Sequence, residues 1–217
     1  MVTQARGPRV LKGALVFLES SAPAPKVIAF QYNPATLTRS LKPLLVGGEA
    51  GDRSEAVRIA GAPTETLSVE IEIDATDDLE KGASVATSLG IQPQLAAMEL
   101  LIHPKSSYVL AESRQVKEGI IEIAPSLAPR ILFVWGERRV LPVKIEGFNI
   151  TEEEFDASLN PIRATVKLDM RVLTYSDLSP SNPDFNQYLA YQQSLESAAG
   201  KAVTMDTTAL GGVVIKS

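Results

Sequence analysis

Residues 66–74 read TLSVEIEID, in which Leu67, Val69, Ile71 and Ile73 alternate with Ser68, Glu70, Glu72 and Asp74. Successive side chains of a strand point to opposite faces, so this period of two predicts a half-buried strand with an acidic outer face. Residues 165–175, TVKLDMRVLTY, repeat the pattern: Val166, Leu168, Met170 and Val172 alternate with Lys167, Asp169 and Arg171, giving an outer face of both signs. Between the two, RILFVW (130–135) is continuously apolar over Ile131 to Trp135, as in a strand covered on both sides. GERR then supplies a tight turn into VLPVKIEGFNI, which makes a hairpin. In its second arm Val143 and Ile145 are odd while Phe148 and Ile150 are even, so the phase slips at Gly147 and a β-bulge is predicted there. The runs ALVFLE and KVIAFQY, separated by SSAPAP, complete the strands. The fold class is mainly β with few helices (α+β).

Two helices are predicted. In IQPQLAAMELLIHP, Pro93 suits a first turn, Leu95, Met98, Leu101 and Ile102 recur at helical spacing, and Pro104 ends the run. Near the end, SNPDFNQYLAYQQSLESAAG offers Asn182 as cap, Pro183 at the first turn, an apolar face of Phe185, Tyr188, Leu189 and Leu195, and Gly200 as stop. The expected organisation is a β domain over residues 1–178, with a long loop at 46–63, followed by a C-terminal helix and tail or arm over 179–217. The glycine-rich loop and the tail from Lys201 exceed ordinary connections and suit contacts with a partner.

The chain has 217 residues, a formal charge of −5 and no cysteine. That length suits one domain with its own core. Absence of cysteine excludes disulfides, thiolate metal sites and a Cys nucleophile. The acidic balance argues against nucleic acid and against anionic membrane surfaces, both of which call for basic patches. No apolar run nears the roughly 20 residues that span a bilayer, and MVTQARGPRV lacks a signal core, so cytoplasmic assembly without membrane insertion is the expectation.

Little in the sequence carries chemistry. The single histidine, His103, falls at a helix end, where it suits hydrogen bonding to free carbonyls rather than catalysis. The acidic segment IDATDDLE lacks the central Gly and distal Glu of a calcium loop, and reads as a solvated loop. The run Thr151–Glu154 reads as a turn or a surface contact. GGEAGDRS lacks the ending of a phosphate loop, so its glycines signal flexibility. No catalytic, cofactor-binding or metal-ligating residue is assigned, and no cofactor is expected. A hydrolase would need two of Asp77, Asp78 and Glu152 to Glu154 to converge with separated pKa values. A monomeric ligand-binding β-barrel would need an aromatic-lined pocket. Trp135 suits the core as the end of an apolar strand, and beside Arg138 and Arg139 it also suits an interface anchor.

One stretch remains. FQYNPATLTRS (30–40) carries Phe30 and Tyr32, able to share a strand face, and then Asn33 and Pro34, which stop the strand 27–32 and turn the chain. With the opening strand KGALVFLE it is similar to the N-terminal signature of the contractile injection system tube-protein family. LGIQPQLAAMELLIHP and residues 129–175 resemble the same family, so the likeness runs from about Val10 to Tyr175. The resemblance implies a phage tail-tube-like β-barrel or sandwich of amphipathic antiparallel strands. It implies a homo-oligomer, a hexameric ring joining the inner tube to spike, hub and baseplate, with a cap-end ring as the alternative. On that reading Phe30, Tyr32, Asn33, Pro34, Trp135, Arg138 and Arg139 mark the fold or an interface, and Glu70, Glu72, Asp74, Lys167, Asp169 and Arg171 face the lumen. Many members carry a C-terminal LysM module, and nothing here matches it, so a docking role of that module does not transfer.

Overall fold

The computed structural model describes residues 11–18, 24–46, 58–117 and 128–202. In chain order these form β1 (Ala14–Leu18), β2 (Lys26–Ala29), β3 (Leu37–Lys42), β4 (Leu45–Val46), β5 (Arg58–Ile59), β6 (Thr64–Asp74), α1 (Thr76–Glu80), α2 (Ser84–Leu89), α3 (Gln92–Glu99), α4 (Ser106–Lys117), β7 (Arg130–Val134), β8 (Val140–Phe155), β9 (Pro161–Val172) and α5 (Pro183–Ala202). Seven strands make one antiparallel sheet in the order β2-β1-β7-β8-β9-β6-β3, and β4 pairs with β5 as a separate two-stranded ribbon. The architecture is α+β and mainly β.

The two alternating segments lie side by side. Leu67 faces Met170, Val69 faces Leu168, Ile71 faces Val166 and Ile73 faces Ala164. All eight are buried, and burying a side chain of this size contributes roughly 1.5–3 kcal/mol. Leu95 and Met98 of α3, with Leu101 just beyond it, complete the same core, as do Tyr188 and Tyr191 of α5. The predicted phase slip is present: Ile145 pairs with Met170 and Gly147 with Asp169, leaving Glu146 as the extra residue. A Cβ at Gly147 would lie 3.1 Å from Asp169 Oδ2, so a side chain there would crowd the neighbouring strand. At the GERR turn Gly136 takes φ 76°, a conformation open to glycine, and Trp135 N–H donates to Arg139 O at 2.8 Å.

Several expectations change. The strand before the Asn-Pro corner ends at Ala29, not Tyr32, and the two aromatics do not share a face: Phe30 is 0% exposed and Tyr32 48%. Strand β7 is not covered evenly. Ile131 and Phe133 are buried, while Leu132 and Val134 are half-buried. The acidic segment after Ile73 folds into α1 rather than an open loop, and Thr151–Glu154 continue β8 instead of turning. Helix α3 ends at Glu99; His103 lies beyond it and its Nδ1–H donates to Glu99 O at 2.9 Å. Helices α2 and α4 were not foreseen. On α5 the buried stripe is Asp184, Tyr188 and Tyr191, while Leu195 is exposed, and the helix passes through Gly200 to Ala202.

The Asn-Pro corner is a clasp. Asn33 Oδ1 accepts from Gly13 N–H at 2.8 Å, Asn33 Nδ2 donates to Leu11 O at 2.8 Å, and Phe30 N–H donates to Gly13 O at 2.9 Å. Gln31 then brackets the end of β6: its Nε2 donates to Asp74 O at 2.7 Å and its Oε1 accepts from Asp74 N–H at 3.0 Å. A side-chain amide thus satisfies backbone groups of β6 beyond the reach of β3, whose pairing stops at Val69. Phe30 packs on Phe133 at 6.5 Å between ring centroids, and Phe133 stacks on Trp135 at 5.9 Å. A Cβ at Gly13 would stand 2.8 Å from Phe30 and 2.9 Å from Trp135, so only glycine lets β1 begin beneath the aromatic stack.

Candidate functional site

Because β6 and β9 bury one face, their other face gathers the polar residues in cross-strand pairs. Glu70 faces Lys167, Ser68 faces Asp169, Thr66 faces Arg171, Glu72 faces Thr165 and Asp74 faces Arg163. Opposite charges placed directly across antiparallel strands stabilise the pair modestly. Arg163 bridges two acids, with its Nε 2.9 Å from Asp74 Oδ2 and its NH1 2.8 Å from Glu154 Oε1. Arg171 NH2 donates to Asp177 Oδ1 at 2.6 Å. Between β3 and the bulge lies a half-open depression of about 260 Å³, lined in part by Thr38, Ser40, Thr66, Ser68, Glu146 and Asp169. The face therefore mixes hydroxyls with charges of both signs, acids outnumbering bases among the residues named, and it holds no large aromatic side chain among these positions. The six residues expected to line a lumen, Glu70, Glu72, Asp74, Lys167, Asp169 and Arg171, all stand on it.

Hydrogen bonding from Thr76, with Arg163 adding to it, holds the Asp74 carboxyl below its ordinary value of 3.8. A carboxyl depressed in the folded state contributes stability that is present above its unfolded pKa and lost as pH falls through the folded one. Wild type should therefore lose more stability than Asp74→Asn as pH drops below about 4, in urea titrations run at pH 6 and pH 3. Equal losses in the two proteins would contradict this role.

The sheet also has two unpaired edges among the described residues, β2 and β3. Exposed strand edges present rows of free N–H and C=O groups able to pair with another chain. Beyond β3 the ribbon β4–β5 carries half-exposed Leu45 and Val46 and largely exposed Ile59, next to half-exposed Leu41 and Leu44. This ribbon holds the described ends of the long loop; residues 47–57 of that loop, and the tail from residue 203, lie outside the described residues.

Helix α5 is tied to the core face by buried charge. Arg39 Nε donates to Glu65 Oε1 at 2.7 Å, and Arg39 NH2 donates to Tyr191 Oη at 2.7 Å. Burial alone would lower the Arg39 guanidinium, and Glu65 and Tyr191 more than reverse it. Burial pushes the Tyr188 phenol up to about 12. At the other end of the contact Arg130 binds buried Asp184 through its Nε and NH2, and Gln187 Nε2 donates to Val140 O at 3.2 Å. Apart from Tyr188, expected on the apolar face of the helix, none of these residues is singled out by the sequence. Their signal was parity: Glu65 is in phase with Leu67, and Arg39 with Leu37 and Leu41, so each falls on the core side of its strand.

The remaining expected residues separate into groups. Phe30, Asn33 and Trp135 meet at the corner, where Trp135 is half-buried against Phe133. Tyr32 is exposed, and Pro34 follows the clasp. Arg138 is exposed and Arg139 half-exposed on the turn after Trp135. The carboxylates Asp77 and Asp78 lie on α1 and Glu152 to Glu154 on β8, all exposed. Among the described residues no group of three or more His, Cys, Asp or Glu is placed to hold a metal ion, and no helix is long and apolar enough to cross a membrane.

No protein-family model matches the chain, and no curated protein matches it. Among solved structures the chain is similar to a chain in the cryo-EM structure of the anti-feeding prophage baseplate, six-fold symmetrised, at 16% identity, with 77% of this chain and 93% of that one covered and a TM-score of 0.27. It is also similar to a chain in the tail of an empty GTA particle refined with helical and C6 symmetry, at 11% identity, with 74% and 90% covered and a TM-score of 0.29.

Proposed function

We propose that the chain is a structural, non-enzymatic subunit of a contractile injection system, a phage-tail-like particle. Its copies form a ring, a hexamer on the family resemblance, that joins the inner tube to the baseplate and spike. The observation that carries this reading is a sheet with one buried face, one face of paired charges and hydroxyls, and two unpaired edges. Such a sheet suits continuation from copy to copy, β2 of one beside β3 of the next, with the polar face toward the lumen. The corner at Phe30, Tyr32, Asn33 and Pro34 sets the path from β2 into β3, and so fixes the spacing of the two edges. Inner tube, hub and baseplate proteins are the partners, and the ribbon β4–β5 reaches toward one of them or toward the next copy.

Because the chain has no cysteine, edge pairing is open to a direct test. A chain with Val27→Cys on β2 and Ser40→Cys on β3, treated with a short bismaleimide crosslinker, should give a ladder of covalent oligomers ending at the ring size. Products no larger than those of either single variant would contradict pairing through these edges.

A further inference from the structure

The ribbon β4–β5 is apolar and uncovered. Among the described residues 43–46 and 58–60 only Arg58 is polar, and all of them are exposed, Ile59 to 80%. The ribbon leaves β3 after Lys42 and returns to β6 before Thr64, so it stands at one end of these strands. Lys42 and Arg58 are exposed there and form no ion pair among the described residues.

The opposite end of the same strands carries a second apolar patch. Asp74 of β6 faces Arg163 of β9, which faces Glu153 of β8, and the β8–β9 turn follows directly. Asp156 Oδ1 accepts from the backbone N–H groups of Ser158 and Asn160 at 2.7 and 2.9 Å. Held by these bonds, Leu159 takes φ 63° and is 79% exposed; strained backbone of this kind clusters at functional sites. Helix α2 is fastened to the turn. Asn160 Nδ2 donates to Ser88 O at 3.2 Å, Ile91 N–H donates to Pro161 O at 2.9 Å, and a Cβ at Gly90 would collide with Pro161 O. Val85 and Leu89, one helical turn apart, are thereby brought to the same end as Phe155 and Leu159, and all four are exposed. Just before α2, helix α1 carries Asp77, Asp78 and Glu80, exposed and in no ion pair among the described residues, beside a single base, Lys81.

Exposed apolar patches with polar rims mark contact surfaces. Between these two run the 11 residues of β6, about 36 Å at ~3.3 Å per residue. A ribbon of two-residue strands does not span that length, so it cannot cover the patch of its own chain.

We infer that the β4–β5 ribbon of one copy packs on the α2 and hairpin-turn end of a second copy, Ile59 against Leu159, with Lys42 and Arg58 facing the acids of α1. The occupant is a second copy because the two ends of one chain are both apolar and carry flanks of opposite sign, basic beside the ribbon and acidic beside α2. The contact is heterologous, head to tail, and continues from copy to copy. It rests on the reading of the chain as an assembling subunit whose ribbon reaches the next copy, and it uses strand ends rather than the edges β2 and β3.

The test mixes two singly substituted full-length chains of different tag mass, one with Ala60→Cys and one with Ser158→Cys, and follows their oxidative crosslinking. Both positions are exposed and flank the apolar residues without replacing them. The mixed product should form at least tenfold faster than when the Ser158→Cys chain is replaced by one bearing Ala111→Cys on α4. Ile59→Ser or Arg58→Glu in the ribbon partner should each slow it about tenfold, and Asp78→Lys with Glu80→Lys in the other partner should reverse the effect of Arg58→Glu. Crosslinking at the control rate, indifference to either ribbon substitution, or no recovery with the reversed acids overturns the contact. None of these substitutions lies on β2 or β3, so the crosslinks through those edges judge the ring separately.

Discussion

Replacing Phe30 with alanine should lower the unfolding free energy by about 3–5 kcal/mol, the usual cost of removing a fully buried phenylalanine from a packed core. The ring is 0% exposed and packs on Phe133, and it fills space that a side chain at position 13 would occupy. Its loss would leave a cavity where β1, β2 and β7 meet. Domains of this kind hold only about 5–15 kcal/mol in total, so the variant should be partly unfolded or strongly destabilised in urea. Tyr32→Ala, two residues on, is the control. Tyr32 is half-exposed and outside the core, and the change should stay within about 0.5 kcal/mol. Similar losses for the two variants would contradict the clasp as described.

The second large effect is asymmetric. Arg39→Ala should cost about 3–5 kcal/mol, because it leaves the Glu65 carboxylate buried without its partner. Glu65 is 1% exposed, whereas the Arg39 side chain is 25% exposed. Glu65→Gln should therefore cost less: the neutral amide still offers an acceptor, and Arg39 can turn toward water. Replacing both with apolar residues of similar volume should recover most of the loss. Chemical denaturation of the four proteins reads the difference. If Glu65→Gln proves as damaging as Arg39→Ala, burial of the acid is not what makes the pair matter.

The sheet was legible because its central strands obey a period of two with no exceptions over Leu67–Ile73 and Val166–Val172, and the bulge was legible as a change of parity at Gly147. The same reasoning missed Glu65. Its phase places it in the core, yet its chemistry reads as surface, and only Arg39 from another strand and Tyr191 from the far end of the chain resolve the conflict. Long-range partners of that kind leave no local pattern. Helices α1 and α2 escaped because five and six residues are too short for a 3.6 period to separate from a loop. Helix α4 escaped because no residue described on it is buried, so it carries no apolar stripe to read. The polar face was visible as a face. Which residues gather at the corner was not, since Gly13, Phe30, Asp74 and Trp135 come from four distant segments. The hairpin tip was hidden by the acidic run before it, which reads as a turn, although in the fold it extends the strand and the turn comes at Asp156–Asn160.

On the proposed function, copies of this chain close into a ring with the charged sheet face toward the hole. Native mass spectrometry of the purified full-length chain, alone and mixed with the inner tube protein of its particle, measures this most directly. A dominant species of six copies, matched by ring-shaped particles with a central opening in electron microscopy, is the expected result. A chain that remains monomeric at every concentration, and still forms no ring beside the tube protein, would contradict it.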